Sequence, residues 1–64
     1  MTGDDIKAIR ARLGLSTADL ARITEFSVDT IRSWEQGKRE PRDDNAEQLR
    51  ASVAWHEYER EEKA

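Results

Sequence analysis

The sequence predicts a compact all-α domain of about four helices, of which the last is long. Apolar residues recur at helical spacing, and glycine stands where the first and third helical segments end. The segment after Pro41 has no internal helix breaker, which favours one long C-terminal helix. With 64 residues, 39% of them charged, the chain has room for one small core, so we expect a single domain over residues 1–64. Because it contains no cysteine, disulfides and thiolate metal sites are excluded, and stability must come from helix packing or a partner chain.

The first predicted helix begins at Thr2 or Asp4 and ends at Gly14. Its apolar side chains follow one another at i, i+3 and i+7, which places them on one helix face. These side chains are Ile6, Ile9 and Leu13.

The second predicted helix is short, about two turns, and ends near Thr24. Ser16 and Asp19 have the spacing of a capping box, with aspartate in place of the usual glutamate. Leu20 and Ile23 continue the buried face.

Glu25 and Phe26 form the connection to the third helix, which Ser27 caps and which runs to about Gln36 before Gly37. Its inward side chains stand at i, i+3 and i+6 and are Val28, Ile31 and Trp34.

The predicted C-terminal helix carries two apolar stripes. Either Asp43 or Asp44 can cap it, and it extends to about residue 62. At 100° per residue, one stripe lies roughly opposite the other, and a domain this small can cover only one of them. We therefore expect the second stripe to form a homodimer interface, with an exposed or intramolecular surface as the alternative. The first stripe contains Ala46, Leu49 and Val53, and the second contains Ala51, Ala54, Trp55 and Tyr58.

Charge is distributed unevenly along the chain. Residues 1–40 hold seven basic and seven acidic residues, whereas the residues after Pro41 hold four basic and seven acidic ones. The net charge of -3 therefore arises in the C-terminal segment, and a locally basic face remains possible elsewhere. No apolar run approaches the roughly 18 residues needed to span a bilayer, and the N-terminus lacks the apolar segment of a signal peptide. We expect a soluble cytoplasmic protein that does not interact with membranes.

Three segments carry a family resemblance: IKAIRARLGLS, LARI and VDTIRSWEQGKREP. Between Ile6 and Pro41 the chain resembles the XRE helix-turn-helix family, which includes the phage repressors and Cro proteins. It is especially similar to the DNA-binding domains of small antitoxins and autoregulators. The resemblance implies a lambda-repressor-like helix-turn-helix core over about 5–41, followed by the helix over about 43–62. It also implies a sequence-specific transcriptional regulator, which in small members of this family is usually a repressor of its own promoter. Because a single module with so few cations should bind DNA weakly, we expect a dimer that binds a palindromic operator.

The resemblance implies one contact between side chains, and the sequence departs from the family pattern at several positions. Arg10 and Glu35 occupy positions at which this family commonly joins its first helix to the end of the recognition helix by an ion pair. Glu25 stands where the family usually has glycine, so the turn is open to reshaping. Thr17 replaces a frequent glutamine and is shorter, so it reaches a phosphate less easily. Because the fifth helix of the larger repressors is absent or merged into the last one, dimer geometry cannot be taken from the family.

By this resemblance the third helix enters the major groove, and its outward residues are available to bases. Arg32 is the leading candidate because a guanidinium can bond both O6 and N7 of guanine. Asp29 can accept from a cytosine amine, orient Arg32, or serve only as an anion favoured by the helix dipole. Val28 can contact a thymine methyl or belong to the core. The predicted base contacts are Ser27, Val28, Asp29, Arg32 and Ser33.

Phosphate contacts are predicted at the start of the second helix and in the basic loop after the third. Cations are also favoured at a helix C-terminus, which is the alternative explanation for Lys38 and Arg39. The predicted residues are Ser16, Thr17, Lys38, Arg39 and Arg42, with Ser27 at the start of the third helix as a further phosphate contact.

The sequence argues against an enzyme. His56 is the only histidine and lies on a helix that we expect to be exposed, and the chain has no glycine-rich phosphate loop. We therefore predict no catalytic residues, no metal and no cofactor. The main rival is a protein-binding module that kept this fold but has little or no DNA binding. A hybrid is an antitoxin that binds double-stranded DNA with its helix-turn-helix and a toxin with its C-terminal helix.

Overall fold

Four α-helices account for most of the described chain. The computed structural model describes the backbone of residues 1–63 and the side chains of residues 1–61. Over that range it contains no strand, so the predicted all-α fold with a long C-terminal helix is confirmed. The helices are α1 (Gly3–Leu13), α2 (Thr17–Thr24), α3 (Val28–Glu35) and α4 (Asp43–Lys63).

α1 is fixed at both ends by local hydrogen bonds. The Thr2 hydroxyl accepts from the Asp5 amide, and the Asp5 carboxylate accepts from the Thr2 amide, which completes a capping box. Gly14 ends the helix in the left-handed region at φ 66°, and the next amide, that of Leu15, donates to the Arg10 carbonyl at 2.9 Å. This reversal is a Schellman motif, which satisfies carbonyls at the end of the helix.

α2 begins with the predicted capping box. Ser16 accepts from the Asp19 amide, while the Asp19 carboxylate accepts from the Ser16 amide. The helix ends at Glu25, which adopts φ 67° and is the one non-glycine residue with positive φ in the described chain. The turn therefore keeps the left-handed conformation for which glycine is convenient, although a side chain there is unfavourable by about 1 kcal/mol.

α3 is capped by Ser27 and closed by a second Schellman motif at Gly37. The amide of Gly37, at φ 77°, donates to the Trp34 carbonyl, and the amide of Lys38 donates to the Ser33 carbonyl at 3.0 Å. The chain thus turns away from α3 within two residues. As a result, the first residues of the basic loop, Lys38 and Arg39, lie beside the C-terminal end of α3.

α4 begins one residue earlier than a cap at Asp43 requires. The first helical hydrogen bond runs from the Ala46 amide to the Arg42 carbonyl, so Arg42 occupies the cap position. The expectation that Asp43 or Asp44 caps α4 is therefore wrong. Both carboxylates lie in the first turn instead, where the helix dipole favours negative charge.

The core lies where α1, α2, α3 and the first half of α4 meet. Its central side chain is Trp34, 1% exposed, which packs edge-on against Phe26 at 5.0 Å between ring centroids. Gly3 packs so closely against the backbone at the end of α3 that a Cβ at this position would clash with the Trp34 carbonyl oxygen. The first stripe of α4 is buried, as predicted. The buried apolar residues are Ile6, Leu20, Ala21, Ile31, Trp34, Ala46, Leu49 and Val53.

Among residues 1–63, no helix has both the length and the apolar character needed to cross a membrane.

Candidate nucleic-acid interface

α3 has one exposed side and one buried side. Asp29 and Arg32 are exposed and lie one turn apart, so they project from the same side of the helix. Val28 and Ser33 are half-buried at its edges. The side chains of α3 that are buried are Ile31, Trp34 and Glu35.

Asp29 and Arg32 do not pair with each other. Within the described residues, neither side chain takes part in an ion pair or a side-chain hydrogen bond. In this structure Asp29 therefore does not hold Arg32 in place. All the guanidinium donors of Arg32 remain available, which is what bidentate contact with guanine O6 and N7 requires.

Ser27 is engaged in the cap of α3. Its Oγ accepts from the Thr30 amide at 3.1 Å and lies 2.7 Å from the Thr30 hydroxyl. Thr30 was not among the predicted site residues, although its place three residues after a serine cap is a recognisable signal. The two hydroxyls form a unit at the N-terminus of the helix.

Ser16 and Thr17 differ in what they can offer a phosphate. Ser16 is exposed, and its hydroxyl accepts from the Asp19 amide, which leaves its own hydrogen free to donate. The Thr17 hydroxyl donates to Oε2 of Glu35 at 3.4 Å and is thereby directed into the protein. The backbone amide of Thr17 is the group left for a phosphate, and its phosphate contact stays a prediction.

The loop between α3 and α4 presents the densest group of cations. Lys38, Arg39 and Arg42 are exposed, and none forms an ion pair within the described residues. Together with Arg32 they are opposed by only two exposed carboxylates over residues 27–42, those of Asp29 and Glu40. The third carboxylate of this segment, that of Glu35, is buried and paired with Arg10, so it is not counted among the exposed ones. Exposed cations thus outnumber exposed carboxylates over residues 27–42, and the exposed carboxylates of Asp43 and Asp44 follow directly in α4.

Glu35 joins three helices at one end of this surface. Nε and Nη2 of Arg10 donate to its Oε1 at 2.9 and 2.7 Å, and Thr17 contacts its other oxygen. The Nη1 of Arg10 donates to the Leu15 carbonyl at 3.2 Å. The side chain of Glu35 is 7% exposed and that of Arg10 is 26% exposed, so the ion pair is partly shielded from water.

Four of the predicted phosphate contacts, Ser16, Thr17, Lys38 and Arg39, lie near one end of α3. Because Thr17 touches Glu35, the start of α2 lies beside the end of α3, where Lys38 and Arg39 also begin the loop. Ser27 lies at the other end, about 12 Å away for a helix of this length. The exposed pair of Asp29 and Arg32 lies between the two ends.

The match to a family model decides what this arrangement is. A model described as helix-turn-helix matches residues 6–51, well over half of the chain and all of the surface just described. The chain belongs to the XRE family of helix-turn-helix proteins. No curated protein and no solved structure gave a match.

The XRE family is one of DNA-binding regulators, and the turn between α2 and α3 is therefore its helix-turn-helix. The matched range, residues 6–51, extends past the loop into the first half of α4. This half packs on α2, and Gln48 donates through Nε2 to the Thr24 carbonyl at 3.1 Å. Gln48 thus fastens α4 to the residue before the turn, a contact that sequence spacing gave no means to predict.

The second apolar stripe of α4 is exposed in this structure. Trp55 is 62% exposed and Tyr58 is 51% exposed, and their rings stack with centroids 5.5 Å apart at 24°. Ala51 and Ala54 beside them are also exposed. The two stacked rings thus form an exposed apolar surface on α4.

Proposed function

We propose that this protein is a sequence-specific transcriptional regulator that binds operator DNA with α3 in the major groove. The observation that carries the proposal is the exposed side of α3, where Arg32 has no partner within the described residues. The opposite side of the same helix is buried, so it can dock without losing its packing on the core. This binding takes place in the cytoplasm.

Arg32 is the principal base-reading residue. Its guanidinium accounts for a preference for guanine at one position of each half-site, worth roughly 1 to 3 kcal/mol. Ser33 and Ser27 donate or accept hydrogen bonds at neighbouring base edges, and Val28 contacts a thymine methyl where its half-buried side chain reaches the groove. Asp29 accepts from a cytosine amine or serves as an anion near the start of the helix.

Phosphate contacts hold α3 in register without selecting sequence. The hydroxyl of Ser16 and the amide of Thr17 bind one phosphate at the start of α2. Lys38, Arg39 and Arg42 bind phosphates beside the loop, where four exposed cations including Arg32 outnumber two exposed carboxylates.

The regulator acts as a homodimer on a palindromic operator and represses transcription, including that of its own gene. One module with so few cations binds weakly and loses affinity steeply as salt rises, so two linked modules are needed for useful affinity. The dimer surface is the exposed stripe of Ala51, Ala54, Trp55 and Tyr58, whose apolar area a second copy removes from water.

Fluorescence anisotropy tests the proposal directly. Labelled DNA from the upstream region of the protein's own gene is titrated with the parent chain and with Arg32→Ala, each at two salt concentrations. We expect the parent to bind this DNA more tightly than an unrelated duplex, and Arg32→Ala to lose that difference. A folded parent that shows no preference for the upstream DNA at low salt contradicts the proposal.

A further inference from the structure

A groove runs between α2 and the middle of α4. Its volume is about 480 Å³. Ile23, Ala51 and Trp55 give it an apolar floor, and Glu25 and Glu59 stand on its rim. It is called the α2–α4 groove below.

Two features place negative charge at the α2–α4 groove. Glu25 and Glu59 are exposed, and neither forms an ion pair within the described residues. The groove also lies at the C-terminal end of α2, where the helix dipole contributes negative partial charge. His56 is the only basic side chain among the lining residues that the structure describes. The chemistry that fits this rim is cationic.

The groove on the other side of α4 provides a contrast. It is lined by Arg12, Arg50, Glu57 and Glu61, and Arg12 already pairs with Glu57 at 2.9 Å. Two cations and two carboxylates leave that surface balanced. The lining of the α2–α4 groove thus has an excess of carboxylates that the lining of this second groove lacks.

Trp55 adds a second reason to expect a cation. Its indole is largely exposed beside the two carboxylates, and the face of an indole attracts ammonium and guanidinium groups. Ile23 is half-buried next to it, so the floor also accepts an aliphatic side chain. A ligand that fits both the carboxylates and the apolar floor has an apolar side chain flanked by lysine or arginine.

We propose that the α2–α4 groove binds a cationic amphipathic segment of a partner protein. One apolar side chain of the segment lies on Ile23 and Trp55, while its cations reach Glu25 and Glu59. Phosphates of nucleic acids and of anionic lipids carry the wrong sign for this rim. The α4 of a second copy does not supply the cations that this rim attracts, because it holds six acidic against two basic residues over 43–61. Ala51 and Trp55 also belong to the proposed dimer surface, so the segment and a second copy compete for the floor of the groove.

The proposal is tested with a fluorescent 14-residue helical peptide of leucine and lysine, and with a matched peptide of leucine and glutamate. Anisotropy with the full chain is expected to show saturable binding of the lysine peptide and none of the glutamate peptide. The double variant Glu25→Gln, Glu59→Gln should weaken binding about tenfold, since two rim charges are lost. Trp55→Ala should weaken it also, because the floor is lost.

A matched control variant, Glu47→Gln with Glu61→Gln, also removes two negative charges, but from positions on α4 outside the groove. It should change the affinity less than about twofold, as expected for charges outside the site. Equal weakening in the two double variants means that the peptide responds only to net charge, and this result overturns the proposal. Absence of binding by the lysine peptide overturns it too.

The groove proposal does not depend on the proposed DNA binding. The groove lies on α2 and α4, whereas the base-reading residues lie on α3. Binding of upstream DNA by the Glu25→Gln, Glu59→Gln variant is measured in parallel. DNA binding without peptide binding defeats the groove proposal alone, and peptide binding without DNA binding defeats the proposed function alone.

Discussion

Arg10 and Glu35 join α1 to the end of α3 through two hydrogen bonds, from Nε and Nη2 of Arg10 to the same carboxylate oxygen. The two residues are 25 positions apart in the sequence, and Thr17 of α2 contacts the other oxygen of the carboxylate. One buried carboxylate thereby holds the three helices that make up the helix-turn-helix and its support.

Replacing Glu35 by alanine should destabilise the fold. The change leaves Arg10 without its partner in a partly buried place, and we expect a loss of about 2 to 3 kcal/mol in the free energy of unfolding, below that of a fully buried pair. Urea unfolding measures it. Arg12→Ala, which breaks the exposed ion pair to Glu57, is the control and should cost less than about 1 kcal/mol. An unfolding free energy of Glu35→Ala equal to the parent's would remove the claim.

Arg32→Ala and Arg39→Ala should affect DNA binding differently. The first removes a base contact, so binding to the operator should weaken by roughly 1 to 3 kcal/mol and the guanine preference at one position of each half-site should relax. The second removes a phosphate contact, so all duplexes should weaken alike and the salt slope should fall by about 1. Competition binding with operator variants at several salt concentrations separates the two. Indistinguishable profiles would refute this division of roles.

Trp55→Ala should shift the protein from dimer to monomer. The exposed indole supplies much of the apolar area of the α4 stripe, and its removal deprives a second copy of that contact. Sedimentation equilibrium gives the mass of both proteins. Lys7→Ala, at an exposed position on α1, should leave the dimer intact. A parent chain that sediments as a monomer at every concentration rules out the interface.

Glu25→Gly should stabilise the fold. Glu25 holds φ 67°, which disfavours a residue with a Cβ, while glycine adopts it readily. The greater freedom of glycine in the unfolded chain offsets part of the gain, so we expect about 0.5 to 1 kcal/mol. Glu25→Ala keeps the unfavourable backbone and is the control. The explanation fails if the glycine variant is no more stable to urea than the alanine variant.

The stability of the fold should decline in acid because the carboxylates of the two capping boxes become protonated. Hydrogen bonds from the Thr2 amide and hydroxyl lower the pKa of Asp5 below its ordinary value, and those from Ser16 do the same for the pKa of Asp19. Because the folded-state pKa values are depressed, this stabilisation is present above about pH 4 and is lost as pH falls through the folded values.

The variant Asp5→Asn, Asp19→Asn should therefore be less stable than the parent at pH 7 and should approach it as the pH falls below 4. Thermal unfolding followed by circular dichroism from pH 7 to pH 2 measures this convergence. Asp4→Asn is the control, because Asp4 shares the first turn of α1 but belongs to neither capping box. A constant gap in melting temperature between the double variant and the parent over the whole range would count against the capping boxes as its cause.

The helices were predictable because their signals are local. Gly14 and Gly37 end helices through positive φ, and Ser16 begins one through a capping box, so each boundary follows from a few adjacent residues. The start of α4 was misplaced for the same reason: Asp43 and Asp44 are good caps by type, and no local rule shows that Arg42 takes the position instead.

The surroundings of the site were less accessible to sequence reasoning. The exposed positions of Arg32 and Asp29 follow from helical spacing, and the structure agrees with that exposure. The bond from Gln48 to Thr24 and the shared groove of Glu25 and Glu59 join residues 24 and 34 positions apart. Periodicity reports which face of a helix is apolar, but it does not report which helix lies opposite that face.

The two tryptophans stand in opposite surroundings, and this difference has a practical consequence. Trp34 is enclosed against Phe26 in the core, while Trp55 lies on the outer face of α4. The native emission spectrum should therefore combine a blue component from Trp34 and a red one from Trp55. Unfolding should shift the first and contact with another molecule on α4 should shift the second, so the unlabelled chain carries separate optical reporters of its integrity and of its associations.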